Sequence, residues 1–344
     1  MDASRQVFRE ILMAQAVLFD ELGGPEVLKI AEVPVAEPDA DEVRIRVDAI
    51  GLNRAEAMFR AGTYYEQPKL PGSGLGYEAA GVVEAVGSGV SGLAVGEPIS
   101  TISAFSMRDY GVYGDRVIVP SRAVVSRADA VDAVTGAAIW TNYATAYGAL
   151  VEQAEMRPGD NVLITAASSG VGLAAIQIAN NFGAIPIAVT RGEGKRRKLL
   201  DAGAARVIST ESQDLVEEVL AATDGAGARV VFDCVGGPFV NDLERAASVN
   251  GVLIIYGWLS LEPTPLPMNW FKNLAVYGYA LDSHVLADPA RWRRAEQYIN
   301  AGLRVGSLVP TIDRVFDSLD DIPEAQRYLE SNEQIGKVVV RVRH

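Results

Sequence analysis

Two rhythms of apolar and polar residues divide the chain. From Ala16 to about Pro120, short apolar segments alternate with polar positions and stop at turns. Glu42-Val43-Arg44-Ile45-Arg46-Val47 alternates residue by residue, as a half-buried strand does. Ala79 to Val86 is small and apolar and breaks at Gly87-Ser88-Gly89, and Asp115 to Pro120 is a further strand closed by proline. Frequent glycines between Gly72 and Gly96 mark tight turns. This stretch predicts a compact antiparallel β-domain, with residues 13–137 as its first part.

The rhythm changes near Thr135. Ala137 to Val151 reads as a helix, and strands and helices then alternate. Strand patterns lie at Asn161–Thr165, Pro186–Thr190, Arg206–Ile208, Val230–Asp233 and Val252–Tyr256. Helical patterns lie between them at Gly172–Phe182, Lys195–Ala202 and Asp214–Thr223. Such alternation predicts an α/β domain with a doubly wound parallel sheet, placed at residues 138–285. The tail Gly336–Val342 is a strand with no crossover helix after it, so residues 286–344 are expected to return to the first domain.

The strongest local signal is the run from Leu163 to Gly172, in which a strand enters a small-residue turn that opens a helix. A dinucleotide pyrophosphate needs this arrangement: close backbone approach, N–H groups and the positive end of a helix dipole. Ala167, Ser168, Ser169, Gly170, Val171 and Gly172 are the candidate contacts, with Ala167 and Ser169 standing where glycines are usual. NAD-binding proteins place Asp or Glu about 20 residues on, against the ribose hydroxyls. Here, 19 residues after Gly172, stands Arg191, within Thr190-Arg191-Gly192-Glu193-Gly194-Lys195. Thr190, Arg191 and Lys195 therefore point to a 2′-phosphate, and to NADPH as the cofactor.

Composition narrows the classes. The chain is 49% hydrophobic and 22% charged, an ordinary globular balance. Its net charge of −13 offers no basic excess to neutralise nucleic-acid phosphates. The one cysteine, Cys234, excludes an internal disulfide and a four-cysteine zinc site, and it reads as a small buried residue. No apolar run is long enough to span a membrane. Met1 to Leu12 carry mixed charge, unlike a secretory leader, and Met13 reads as a natural start. A cytoplasmic protein is expected.

Several motifs, taken in order, resemble the zinc-free quinone oxidoreductase branch of the medium-chain dehydrogenases/reductases, the family of zeta-crystallin-like NADPH:quinone oxidoreductases. They are Gly51-Leu52-Asn53-Arg54-Ala55-Glu56, Pro71 to Gly81, Thr145-Ala146-Tyr147, the turn at Ala167–Gly172, and Asp233-Cys234-Val235-Gly236-Gly237. The resemblance implies a GroES-like β-barrel-type catalytic domain with a Rossmann domain inserted in its sequence. It implies that Asn53 and Tyr64 lie beside the nicotinamide, Asn53 orienting an amide or a substrate oxygen and Tyr64 donating a hydrogen bond or proton. Tyr65 is an equally open choice for the donor. It further implies cofactor contacts from Thr145, Ser209, Thr210, Val235, Gly236, Tyr256 and Gly257. Zinc-dependent relatives carry cysteine and histidine at the positions of Asn53 and Tyr77, so no metal is expected.

The function expected is NADPH-dependent reduction of a small apolar quinone or α,β-unsaturated carbonyl. An enoyl-thioester reductase is the near rival, and a non-catalytic NADPH-binding protein is the rival of another class. A homodimer is expected as well. Leu274–Tyr279 is an apolar strand, and the resemblance implies that this sixth strand of the parallel sheet pairs across a two-fold axis.

Overall fold

A computed structural model of the chain describes residues 12–128 and 130–344. The reading of Met1 to Leu12 as a frayed, non-leader segment falls almost wholly outside them. The chain forms two units, residues 1–137 with 316–330 and 339–344, and residues 138–315 with 331–338.

The first unit is built from strands β1 (Met13–Leu18), β2 (Lys29–Pro34), β3 (Glu42–Gly51), β4 (Glu78–Val86), β5 (Pro98–Thr101), β6 (Arg116–Pro120) and β7 (Val124–Ser126). Helix α1 (Arg54–Arg60) follows β3 and α2 (Ala133–Gly136) closes the stretch. The alternation in β3 does what its pattern predicts: Val43, Ile45, Val47 and Ala49 are fully buried while the residues between them are half-exposed. β3 pairs antiparallel with β4 along one edge and with β6 along the other. Gly81 permits the first contact, because a Cβ there would fall 2.0 Å from the Arg46 carbonyl oxygen.

The second unit holds β8 (Asn161–Ile164), β9 (Ile185–Thr190), β10 (Arg206–Ser209), β11 (Ala228–Asp233), β12 (Ala247–Ile255) and β13 (Ala275–Gly278). They form one parallel sheet in the order β10-β9-β8-β11-β12-β13. Its helices are α3 (Trp140–Tyr147), α4 (Gly170–Asn181), α5 (Arg196–Asp201), α6 (Leu215–Ala222), α7 (Val240–Ala246) and α8 (Pro289–Val305). Leu163, Ile187, Val189, Ile208, Val231 and Leu253 meet α6 and α7 in a continuous apolar core. The helix expected over Ala137–Val151 is wound as α3 and then as a π-helical turn from Gly148 to Gln153. There the chain passes so close to Tyr279 that a Cβ on Gly148 would meet its hydroxyl at 2.2 Å.

The return to the first unit, expected at residue 286, falls instead at Phe316. The reason is α8. Asp288 caps it and Gly306 ends it in a left-handed conformation. Its Trp292 and Tyr298 rings pack on Trp140 and on Tyr147 and Phe182, which holds it to the parallel-sheet unit. Strand β14 (Ile312–Phe316) leads out, α9 (Ile322–Ser331) follows, and β15 (Lys337–Arg341) pairs antiparallel with the end of β3. Among the described residues no helix is long and apolar enough to cross a membrane.

Candidate cofactor and substrate residues

In the parallel-sheet unit, β8 delivers the chain into the turn 165–169. Ala166 takes a left-handed φ of 43°, and Ala167 is buried with its N–H on the Val189 carbonyl. Ser169 is the N-cap of α4, its hydroxyl accepting from the Gly172 N–H at 3.0 Å. Gly336 bridges to Ser169 across this turn, its N–H donating to Ser168 O at 2.9 Å, and the Val171 N–H stands at the open end of the helix without a partner among the described residues. The absent side chains matter here. A Cβ on Gly172 would sit 2.6 Å from Ala167 Cα and O, and one on Gly170 would strike the buried Asn142 amide at 2.6 Å. A backbone cradle with an outward N–H at a twelve-residue helix fits a pyrophosphate.

The basic cluster at the end of β9 is sorted by its contacts. Lys195 Nζ donates to Ser168 Oγ (3.1 Å), Asn332 O (2.7 Å) and Gln334 O (2.8 Å), and burial holds its ammonium below the usual lysine range. Arg196 is spent on Glu193, Val207 O and Gln213. Arg191 is exposed, and among the described residues its guanidinium has no hydrogen-bond partner. Thr190 and Ser209 are buried; Ser209 Oγ donates to Arg191 O, and Thr210 N–H to Thr190 O.

After β11 the carboxylate of Asp233 shapes the chain. It accepts from Thr165 Oγ1 (2.6 Å), Val235 N (3.0 Å) and Gly236 N (2.8 Å), and its own burial raises its pKa. Gly236 and Gly237 have φ of 65° and 61°, values that favour glycine. Tyr256 stacks on Phe232 at 4.0 Å, and Gly257 passes within 2.9 Å of Cys234 as a Cβ would measure it. Burial pushes the Cys234 thiol up to about 12, so it stays protonated, as a packing residue does. Thr145 is buried in α3.

In the antiparallel unit, Asn53 caps α1. Its N–H donates to Glu56 Oε2 at 2.7 Å, and its amide reaches Gly51 O at 3.2 Å and Glu78 Oε2 at 3.5 Å. The side chain that the resemblance assigned to the nicotinamide thus also fixes a helix start. Buried Glu56 is the hub, for it accepts from Tyr113 Oη (2.5 Å) and from the Tyr77 N–H (3.3 Å) as well. The spacing Asn53-x-x-Glu56 is a capping-box signature and was visible in the sequence. Tyr64 and Tyr65 are separated by their surroundings. Tyr65 is 68% exposed, whereas half-buried Tyr64 meets the Tyr77 hydroxyl at 2.9 Å. Among the described residues no three His, Cys, Asp or Glu side chains are grouped to hold a metal ion.

These two constellations, a pyrophosphate cradle and a tyrosine–asparagine cluster on an antiparallel unit, define a nicotinamide-dependent dehydrogenase/reductase of the medium-chain type. Residues 39–129 match the alcohol dehydrogenase GroES-like domain, and residues 170–300 the zinc-binding dehydrogenase family. The quinone oxidoreductase of Lama guanicoe is 31% identical over 331 residues, covering 95% of this chain and 97% of that one. That of Pseudomonas aeruginosa is 35% identical over 245 residues, 71% of this chain and 74% of its own. A structure of Escherichia coli quinone oxidoreductase complexed with NADPH superposes with a TM-score of 0.89 at 29% identity, covering 95% of this chain and all of that one. The chain belongs to the quinone oxidoreductase family of the medium-chain dehydrogenases/reductases, on its zinc-free branch.

Proposed function

We propose that this protein reduces quinones, and with them α,β-unsaturated carbonyls, by direct hydride transfer from NADPH without a metal. The observation that carries the reading is the open phosphate turn ahead of α4 with Arg191 at the end of β9, where NAD enzymes hold a carboxylate. Ser168, Ser169, Gly170, Val171 and Gly172 hold the pyrophosphate. Arg191 takes the 2′-phosphate, and Lys195, already engaged by three oxygens, fixes Ser168 beneath it. Thr190, Ser209 and Thr210 flank the adenosine, while Thr145, Val235, Gly236, Tyr256 and Gly257 line the rest. NADPH supplies the hydride. Tyr64 supplies the proton, and Asn53 orders the backbone in front of it. The single buried cysteine accords with a reducing, cytoplasmic setting.

The test is NADPH oxidation with a 1,4-benzoquinone in the presence of a chelator. Turnover is expected with NADPH and undiminished by EDTA. NADPH should bind at least tenfold tighter than NADH, since a charge-assisted phosphate contact contributes roughly 1.5–3 kcal/mol and ~1.4 kcal/mol is one decade. Arg191→Ala should erase most of that preference while barely changing NADH binding. Equal affinities in the native protein defeat the assignment.

The same reading includes a homodimer. β13 is bonded to β12 on one edge and ends the sheet on the other. In the segment leading to it Phe271 is 96% and Trp270 79% exposed, with Leu266 and Met268 also bare, and exposed large apolar side chains of this kind support an interface. Light scattering at micromolar concentration should report twice the chain mass, and Phe271→Glu should halve it. Val276 is a poorer site for that charge, since it packs on its own unit's core. A native monomer that still turns over removes the dimer from the reading.

A further inference from the structure

Tyr77, which the resemblance places where zinc-dependent relatives hold a metal ligand, is held on every side. Its ring is 6% exposed and packs against Phe105 at 6.1 Å. Its N–H is held by Glu56 and its carbonyl accepts from Thr101 Oγ1 at 2.6 Å. Thr101 Oγ1 in turn receives the Ala79 N–H at 2.8 Å. The preceding Gly76, at φ 100°, lies so close to Tyr113 that a Cβ would meet its ring at 2.4 Å. The residue is thus fixed through its backbone and its ring, and its single polar atom is aimed at Tyr64.

Tyr64 is the opposite kind of residue. It sits on the loop between α1 and the Pro71 turn, tied at its base by Gln67, whose amide donates to Tyr64 O and Gly62 O. Tyr65 lies against its ring at 4.4 Å, tilted by 46°. The buried Tyr77 phenol offers this loop-borne hydroxyl a rigid donor at 2.9 Å. Burial drives the Tyr77 phenol far above the ordinary tyrosine range, so it keeps its proton and donates at any working pH.

Resting on the quinone-reductase reading above, we propose that Tyr77 is a positioning residue: its phenol donates to Tyr64 Oη, aims that loop-borne hydroxyl, and stabilises the charge left on it when it yields its proton. In the step concerned the hydride brings two electrons and one hydrogen nucleus to the quinone. The Tyr64 O–H bond breaks as an O–H bond forms on the substrate oxygen. Tyr64 then recovers a proton from water, and the net change is quinone, NADPH and one proton to hydroquinone and NADP⁺. A hydrogen bond to the charged form favours that form, and Tyr77 makes this bond to the oxygen that becomes charged. The dead metal position has acquired the task of setting the proton donor.

The experiment is a mutant cycle on the full chain with NADPH and a 1,4-benzoquinone, Tyr77→Phe against Tyr64→Phe, together with ¹³Cζ-tyrosine NMR. Tyr77→Phe keeps the buried ring. It should lower kcat roughly tenfold, leave the KM for NADPH unchanged, and move the alkaline limb of the kcat profile up by about one pH unit, the size expected for one hydrogen bond to a charged group. The Tyr64 Cζ resonance should titrate correspondingly later. In the Tyr64→Phe background, which breaks the same bond from the half-exposed side, Tyr77→Phe should add nothing. An unchanged kcat and limb in Tyr77→Phe, or an equal loss in both backgrounds, overturns the positioning role. If the native protein turns over no quinone, the functional reading falls, while the NMR titration still decides separately whether Tyr77 tunes Tyr64.

Discussion

Gly172→Val should weaken NADPH binding severely. The cause is steric and has no easy relief: the new side chain points at the Ala167 Cα and carbonyl, 2.6 Å from the Cβ position, and backbone cannot swing aside as a flexible side chain would. Either the turn opens, and Ser168 and Ser169 leave the end of α4, or the helix start unwinds and the Ser169 cap on the Gly172 N–H is lost. Overpacking of this kind costs about 1–3 kcal/mol, and the lost cap adds about 1 kcal/mol. Fluorescence titration should show NADPH affinity down by roughly a hundredfold or more, which is ~2.7 kcal/mol. Gly194→Val is the control, because nothing lies within 4 Å of its Cβ position. Native affinity in Gly172→Val defeats the assignment of the turn to the cofactor.

Arg60→Ala carries the largest expected loss of stability. Arg60 is 1% exposed. Its guanidinium donates to Gly23 O (3.1 Å), Gln326 Oε1 (2.8 Å) and Glu330 Oε1 (2.5 Å), joining α1 to α9. Gln326 also donates to Tyr113 Oη, which donates to Glu56, so the same chain of bonds reaches the cap of Asn53. Truncation leaves a cavity and strands buried Gln326, at a cost of about 3–5 kcal/mol. The urea midpoint should fall accordingly with its slope unchanged. Arg60→Met, which fills the space without the charge, should recover part of the loss. A drop under about 1 kcal/mol for Arg60→Ala would make the cluster a bystander.

These two positions also mark where the sequence is legible. The parallel-sheet unit could be read because its signals are local: each strand is a short apolar run, and the Leu163–Gly172 turn keeps all its determinants within ten residues. The end of the α/β unit is not written locally, because α8 is amphipathic and carries no mark of which sheet it serves. Only the packing of Trp292 and Tyr298 decides it. The Arg60–Gln326–Glu330 cluster joins residues 266 and 270 apart, beyond any local pattern. Lys195 looked like a phosphate contact by charge alone; its three oxygen partners lie in the turn and in the segment before β15. Which of Tyr64 and Tyr65 meets the Tyr77 hydroxyl is a matter of loop conformation that neighbouring identical residues cannot express.

The closing of β3 by β15 bears on how the protein is made. Val340 pairs with Ile50, and Val339 with Gly51. The ribosome delivers Ile50 long before Val340, so the carboxyl end of β3 waits through synthesis of the whole parallel-sheet unit with one edge unpaired. Its ladder donors and its buried Ala49 and Ile50 stay available to any other nascent strand in that interval. A premature stop that removes only β15 should yield aggregates rather than a slightly weakened enzyme.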